Sequence, residues 1–85
     1  MIYNRIALLR AERKISRKQL ANKVDVNPQT IGFIERGDYS PSLDLAFKIA
    51  EAFQVDLTTV FSDKPFEPLF TKKRRQSEEK WIQNV

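Results

Sequence analysis

The 85-residue sequence has no cysteine, no histidine and only two glycines. Without cysteine, the chain can form neither a disulfide framework nor a zinc finger. Without histidine, it lacks the commonest general base and the commonest metal ligand, which argues against an enzyme. The sequence therefore predicts a domain that has no catalytic activity and needs no metal or other cofactor.

Long hydrophobic runs are also absent. No apolar stretch approaches the roughly 20 residues of a membrane span, and residues 1–5 lack the apolar segment of a signal peptide. We therefore expect a cytoplasmic protein with no membrane partner. Fifteen basic and eleven acidic side chains leave a net charge of +4. This excess permits an anionic partner without requiring one.

Short amphipathic helices are predicted for most of the first 62 residues. Apolar spacing indicates a first helix over residues 5–13, with Ile2 and Tyr3 extended before it. Ser16 and Gln19 have the spacing of a capping box, which begins a second helix. No stretch alternates long enough to form a sheet of any size. The class is therefore predicted to be all-α.

A third helix is predicted from about residue 28 to residue 36. Asn27 is a preferred N-cap, Pro28 is favoured at the first helical position, and Gly37 suits a left-handed C-terminal cap. Two further helices follow N-caps, one after Ser42 and one after Asp56 that runs through Val60 and Phe61. The length allows one domain with a modest core, which we predict to span residues 1–62.

Residues 63–85 differ in composition and are predicted to form a C-terminal tail. Lys72–Arg75 is a basic run, either a solvated group of charges or a phosphate-binding arm. Residues 77–85 could form a short helix that carries Trp81. The apolar side chains of the tail are too few for a separate core, so docking on the domain, packing across a dimer and disorder all stay open.

Residues 16–36 have the pattern of a helix-turn-helix. Two helices that cross over a tight turn need a small residue at their contact, and Ala21 fits that need. Val24 and Val26 would bury the turn, while Ile31 and Ile34 would anchor one face of the later helix. The opposite face is then free, and it carries Pro28, Gln29, Gly32, Phe33 and Arg36.

An α-helix with such a free face fits the major groove of DNA, and its N-terminal residues meet the base edges. Gln29 is a candidate bidentate partner of adenine, and Phe33 can contact a thymine methyl group. The alternatives are an ordinary surface glutamine and an aromatic side chain buried in the core or in a dimer interface. Basic residues near the start of the second helix either bind phosphate or only solvate the domain.

Four segments resemble the phage repressor/Cro (XRE-type) helix-turn-helix domain, from about residue 5 to residue 61. They are Leu20-Ala21, Gln29-Thr30-Ile31, Ile34-Glu35-Arg36-Gly37 and Pro41-Ser42-Leu43. The resemblance implies a five-helix repressor-like domain, a homodimer and a pseudo-palindromic operator in double-stranded DNA. Compact members join the N-terminus to the segment after the fifth helix in a small antiparallel ribbon, which here would pair Ile2-Tyr3 with Val60-Phe61-Ser62.

The resemblance also implies roles for individual residues. The candidate base contacts are Pro28, Gln29, Gly32 and Phe33. The candidate phosphate contacts are Arg17, Lys18, Asn27, Thr30, Arg36, Tyr39 and Ser40. Arg10 and Glu35 match positions that form an ion pair between the first and third helices, the alternative being two unpaired surface charges.

Two positions depart from the family pattern. Asp25 stands where a glycine is usual in the turn, and aspartate tolerates the left-handed region better than most residues. Pro28 stands where close relatives carry a long polar residue, so one base contact is expected to be missing. The predicted function is a transcriptional regulator, with repression as the simpler outcome because no sensor domain or effector site is evident. The alternative is a protein-interaction module, antitoxin-like or an accessory subunit, that uses the tail.

Overall fold

The structure, a computed structural model, describes residues 1–67, and these form five helices and a two-stranded ribbon. In chain order the elements are β1 (Tyr3–Asn4), α1 (Ile6–Arg13), α2 (Arg17–Val24), α3 (Pro28–Glu35), α4 (Leu43–Phe53), α5 (Leu57–Val60) and β2 (Phe61–Ser62). The predicted five-helix fold with its small ribbon is therefore confirmed. The predictions for the basic run and the terminal helix of the tail lie outside the described residues.

Local capping signals determine where most of the helices begin. The Gln19 backbone N–H donates to Ser16 Oγ over 3.0 Å, and Gln19 Oε1 accepts from the Ser16 backbone N–H over 2.7 Å, which completes the capping box. Ser42 Oγ accepts from the Leu45 backbone N–H over 3.1 Å at the start of α4. Each cap satisfies a backbone N–H that has no partner within its helix.

The fifth helix differs in two respects from its prediction. Asp56 occupies the N-cap position, but its side chain makes no capping hydrogen bond. Phe61 lies in β2 and not in the helix, because its backbone is extended at φ −125° and ψ 148°. The helix is only four residues long, and it ends at Val60 because the next residue pairs in β2.

Left-handed residues end three of the helices, and none of them is a glycine. Lys14, Asp25 and Gln54 have φ values of 57°, 60° and 59°. Asp25 thus adopts the conformation for which the family pattern has glycine, and aspartate accepts it at moderate cost. Gly37, after α3, has φ 81°, as predicted.

The core lies where α2, α3, α4 and α5 meet α1. Its largest fully buried side chains are Ile6, Leu20, Ile31, Ile34, Ile49, Phe53 and Val60. Ala21 is fully buried, as a close approach of α2 and α3 requires, and Val24 is buried beside it. Val26 is only partly buried against this core. Burial of Ile31 and Ile34 on one side of α3 leaves Gln29 and Phe33 exposed on the other.

The ribbon pairs Tyr3 with Ser62 and Asn4 with Phe61 in antiparallel register. Both predicted strand segments began one residue too early, since Ile2 precedes β1 and Val60 is the last residue of α5. Asn4 explains the shift: its Oδ1 accepts from the Ile6 backbone N–H, and its Nδ2 donates to the Ile34 carbonyl over 2.9 Å. The ribbon is thereby attached to the C-terminal end of α3.

Within residues 1–67, no helix has the length and apolar character needed to cross a bilayer. After β2, the Phe66 ring lies against the N-terminal part of the domain, with its centroid 4.1 Å from the Arg5 guanidinium carbon. The division between a domain at 1–62 and a tail at 63–85 stays a prediction.

Candidate nucleic-acid interface

The exposed side of α3 lines a shallow depression on the protein surface. Its lining consists of Arg17, Pro28, Gln29, Gly32, Phe33 and Arg36. All four candidate base contacts therefore lie together, with one arginine from α2 and one from the end of α3. Lys18, Tyr39 and Ser40 do not line the depression, although each is exposed.

The spacing of apolar residues explains why this side of α3 is free. Ile31 and Ile34 are buried in the core, so residues 29 and 33, which are four apart, share the outer face. Gln29 is exposed in the first turn of the helix, and Phe33 is 46% exposed. The alternative of a Phe33 buried in the monomer core is therefore wrong.

Gly32 lies beneath two guanidinium groups. An ideal Cβ on Gly32 would lie 3.4 Å from Arg36 Nη1 and 3.8 Å from Arg17 Cζ. Because the two side chains cover it, Gly32 is buried although it faces the depression. Two cationic groups from different helices thus converge above the middle of α3.

Glu35 accepts hydrogen bonds from two arginines on two other helices. Its Oε2 is 2.7 Å from Arg10 Nε, and its Oε1 is 2.9 Å from Arg17 Nε. The Glu35 side chain is 5% exposed and that of Arg10 is 18% exposed, whereas that of Arg17 is 49% exposed. The alternative of two unpaired surface charges does not describe Arg10 and Glu35. The carboxylate links α1, α2 and α3.

The contact between Arg17 and Glu35 was missed by the sequence analysis. The two residues are 18 positions apart and lie in different helices, so no helical spacing relates them. The pair holds the Arg17 side chain near Gly32 while about half of it stays accessible. Arg17 was predicted to contact a phosphate, and this position at the rim of the depression is compatible with that role.

Arg36 is held on two sides. Its Nε is 3.2 Å from Asp38 Oδ2, and its guanidinium carbon is 5.1 Å from the centroid of the Phe33 ring. Neither contact was predicted. A guanidinium within about 6 Å of an aromatic centroid gains a cation–π attraction, so Phe33 supports the arginine as well as lining the depression.

The other predicted phosphate contacts surround α3. Asn27 Oδ1 accepts from the Gln29 backbone N–H over 3.2 Å, so this atom is used as the N-cap of α3. Thr30 is half-buried, and its backbone N–H donates to the Asn27 carbonyl. Tyr39, in the loop after α3, is half exposed. An acidic residue, Asp38, lies next to these candidate phosphate contacts and forms an ion pair with Arg36.

Comparison with known proteins gives the context of this arrangement. A family model described as Helix-turn-helix matches residues 6–60. Over 58 residues the chain is 45% identical to an uncharacterized HTH-type transcriptional regulator of Methanocaldococcus jannaschii, covering 68% of this chain and 88% of that relative. The identity to YgzD of Bacillus subtilis, also an uncharacterized HTH-type transcriptional regulator, is likewise 45% over 58 residues, with the same coverage of both chains.

A crystal structure of a candidate DNA-binding protein from Bacteroides fragilis has the same fold. The TM-score is 0.66 and the identity 31%, and the match covers 73% of this chain and all of that chain. Together with the family match, this confirms the resemblance of the sequence and the prediction that the chain is not an enzyme. The chain belongs to the XRE-type helix-turn-helix family of DNA-binding transcriptional regulators.

Proposed function

We propose that the chain is a sequence-specific repressor that places α3 in the major groove of double-stranded DNA. The observation that supports this most strongly is the free outer face of α3, where Gln29 and Phe33 are exposed between arginines. The major groove is about 12 Å wide and admits one α-helix, whose N-terminal residues meet the base edges. Gln29 lies in that first turn.

The roles of the individual residues follow from their positions. Gln29 would form the bidentate contact with adenine, and Phe33 would contact a thymine methyl group. Pro28 offers only apolar contact, because proline has no backbone donor. The phosphate contacts would come from the surrounding polar residues, namely Arg17, Lys18, Asn27, Thr30, Tyr39 and Ser40.

The protein would bind as a homodimer on a pseudo-palindromic operator. Ile2, Leu43, Leu57 and Phe61 surround an apolar depression on the side formed by β2 and the starts of α4 and α5; we call it the apolar face. Leu43 is two-thirds exposed there. A second copy on this face would present two α3 helices to successive major grooves, about 34–36 Å apart.

Repression is the simplest consequence of operator binding, because a bound dimer blocks access of polymerase to the same DNA. The protein would act in the cytoplasm, where bacteria and archaea such as those of its relatives keep their DNA.

The test separates base contacts from phosphate contacts. On a duplex chosen from a random pool by the wild-type protein, Gln29→Ala should lose preference over a scrambled duplex while keeping most non-specific affinity. Arg17→Ala should weaken binding to both duplexes alike and lower the salt slope by about one. Titrations by fluorescence anisotropy over a range of salt concentrations would measure both effects.

Lys23→Ala is the matched control, since this exposed lysine near the end of α2 borders a different depression. It removes one charge from the same helix as Arg17 and should leave the salt slope unchanged. Equal losses for Gln29→Ala and Arg17→Ala on both duplexes would contradict the proposed division between base and phosphate contacts.

A further inference from the structure

The side chain of Arg36 lies over the helix that precedes it. From the C-terminal end of α3 its Nη1 reaches to 3.4 Å from the place where a Cβ on Gly32 would stand. The guanidinium therefore lies one turn closer to the N-terminus than its own Cα, in the depression that contains Gln29 and Phe33. Any residue other than glycine at position 32 would occupy part of this space.

Two neighbouring side chains, Phe33 and Asp38, also orient the Arg36 guanidinium. The Phe33 ring lies 5.1 Å from its central carbon, and Asp38 accepts from its Nε over 3.2 Å. About half of the Arg36 side chain is still exposed, at 52%. Because Asp38 uses the Nε edge, the two Nη groups are the donors that face a ligand.

A planar pair of donors has a specific partner in the major groove. Guanine presents two acceptors there, O6 and N7, and bidentate arginine is their commonest specific ligand. Phosphate also accepts two parallel hydrogen bonds from arginine, so donor geometry alone does not distinguish the two ligands. The position of the guanidinium beside Gln29 and Phe33 is what favours a base edge. Gly32 leaves this space open, because it has no side chain of its own.

We propose that Arg36 is a base-contacting residue that selects guanine in each half-site, instead of the phosphate contact that the family resemblance implied. Phe33 supports the guanidinium and contacts the neighbouring base pair, while Gly32 provides the space. This inference rests on the proposed function, since it requires α3 to enter the major groove.

Arg17 does not share this role, although it also lies near Gly32. Arg17 belongs to the first turn of α2 and not to α3. The helix before the recognition helix crosses the DNA backbone in this motif. Arg17 therefore lies on the phosphate side of the depression, and Arg36 lies on the base side.

The experiment combines protein variants with altered DNA. Wild-type protein first selects its half-site from a random duplex pool, and the expected half-site contains a fixed guanine. Replacing that base by 7-deazaguanine, which lacks the N7 acceptor, should lower wild-type affinity about tenfold. The same replacement should have no effect on Arg36→Ala, which should accept any base at that position.

Gly32→Gln is a second variant that keeps Arg36 in the chain and fills the space above α3. It should also lose the guanine preference, whereas a phosphate-binding Arg36 would be little affected. Circular dichroism would establish that both variants fold, as expected for substitutions at the surface of α3.

Two results would overturn the inference, and they differ in what they say of the proposed function. If the wild type selects a sequence but Arg36→Ala keeps the same preference and weakens binding to all duplexes, Arg36 binds phosphate and the proposed function stands. If the wild type selects no sequence at all, the guanine contact and the proposed function fail together.

Discussion

At the scale of single residues, Glu35 connects the folded core to the candidate DNA-binding surface. The carboxylate is nearly inaccessible and accepts from Arg10 on the inner side and Arg17 on the outer side. Arg10 Nη1 also donates to the Ile15 carbonyl in the turn between α1 and α2. One buried carboxylate thus fixes the turn and an arginine at the rim of the depression. In low dielectric surroundings such charge-assisted hydrogen bonds are stronger than those between neutral groups.

The two glycines should respond in opposite directions to alanine. Gly32→Ala should raise the free energy of unfolding by about 0.5–1 kcal/mol, because its conformation is helical and the new Cβ meets only the ends of two flexible arginines. Gly37→Ala should lower it by about 1 kcal/mol, because its φ is +81° although the Cβ would meet no atom. Urea denaturation of both variants would measure the difference. Stabilisation by Gly37→Ala would contradict this explanation.

The sequence could predict which residues line the depression on α3 but not how their side chains are held. The period of α3 assigned Gln29 and Phe33 to the outer face, because Ile31 and Ile34 must be buried. The pair between Arg10 and Glu35 came only from the family resemblance. The positions of Arg17 and Arg36 depend on the approach of two helices and on the space above Gly32, which no local pattern encodes.

At the scale of the helices, capping chemistry determines the limits of α2, α3 and α4. Ser16, Asn27 and Ser42 each accept a hydrogen bond from a backbone N–H in the first turn that follows. The start of α3 matters most for the proposed function, because it positions Gln29. Pro28 adds rigidity there, since its φ is already near the helical value.

Removal of the side-chain cap should be costly at α2 and nearly neutral at α5. Ser16→Ala should lower the free energy of unfolding by about 1 kcal/mol, because the hydrogen bond from the Gln19 backbone N–H to Ser16 Oγ is lost. Asp56→Ala is the matched control, since Asp56 has the same N-cap position without a capping hydrogen bond. Chemical denaturation of the two variants under the same conditions would compare them. An equal loss for both would mean that cap position alone, and not the hydrogen bonds, stabilises these helices.

Helix limits were predictable because capping depends on neighbouring residues. The errors occur where contacts between distant residues determine the limits of an element. The predicted strand segments began one residue too early because Asn4 bonds to Ile34, thirty positions away. The helix signals extended α5 to Phe61, whereas the family resemblance placed Phe61 in the ribbon, where it pairs with Asn4. Both errors concern short elements whose conformation depends on a partner strand.

At the scale of the whole molecule, the two surfaces of interest have different chemistry. The depression on α3 combines arginines, Gln29 and Phe33, which suits the bases and phosphates of DNA. The apolar face, formed by Ile2, Leu43, Leu57 and Phe61, is the contact surface of the proposed homodimer. Exposed apolar side chains that cluster in this way mark interaction sites in soluble proteins.

Leu43→Glu should disrupt the proposed homodimer without unfolding the protein. The side chain is 67% exposed in the single chain, so its replacement costs little in the monomer but places a charge in an apolar contact. Leu8→Glu is the matched control, since Leu8 is an exposed leucine of α1 outside the apolar face. Sedimentation velocity should show a dimer for the wild type and Leu8→Glu and a monomer for Leu43→Glu. A dimer that survives Leu43→Glu would place the contact on another surface.

The most direct test of sequence-specific binding is selection from a random pool of duplex DNA by the purified full-length protein at about physiological salt. We expect an enriched pseudo-palindrome whose two half-sites have centres about 10 base pairs apart, one helical turn of DNA. That spacing would support both the entry of α3 into the major groove and the homodimer. The contrary result would be binding that enriches no sequence and is lost as the salt concentration rises. It would contradict sequence-specific binding by α3 and mean that the protein attracts DNA only through its surface charge.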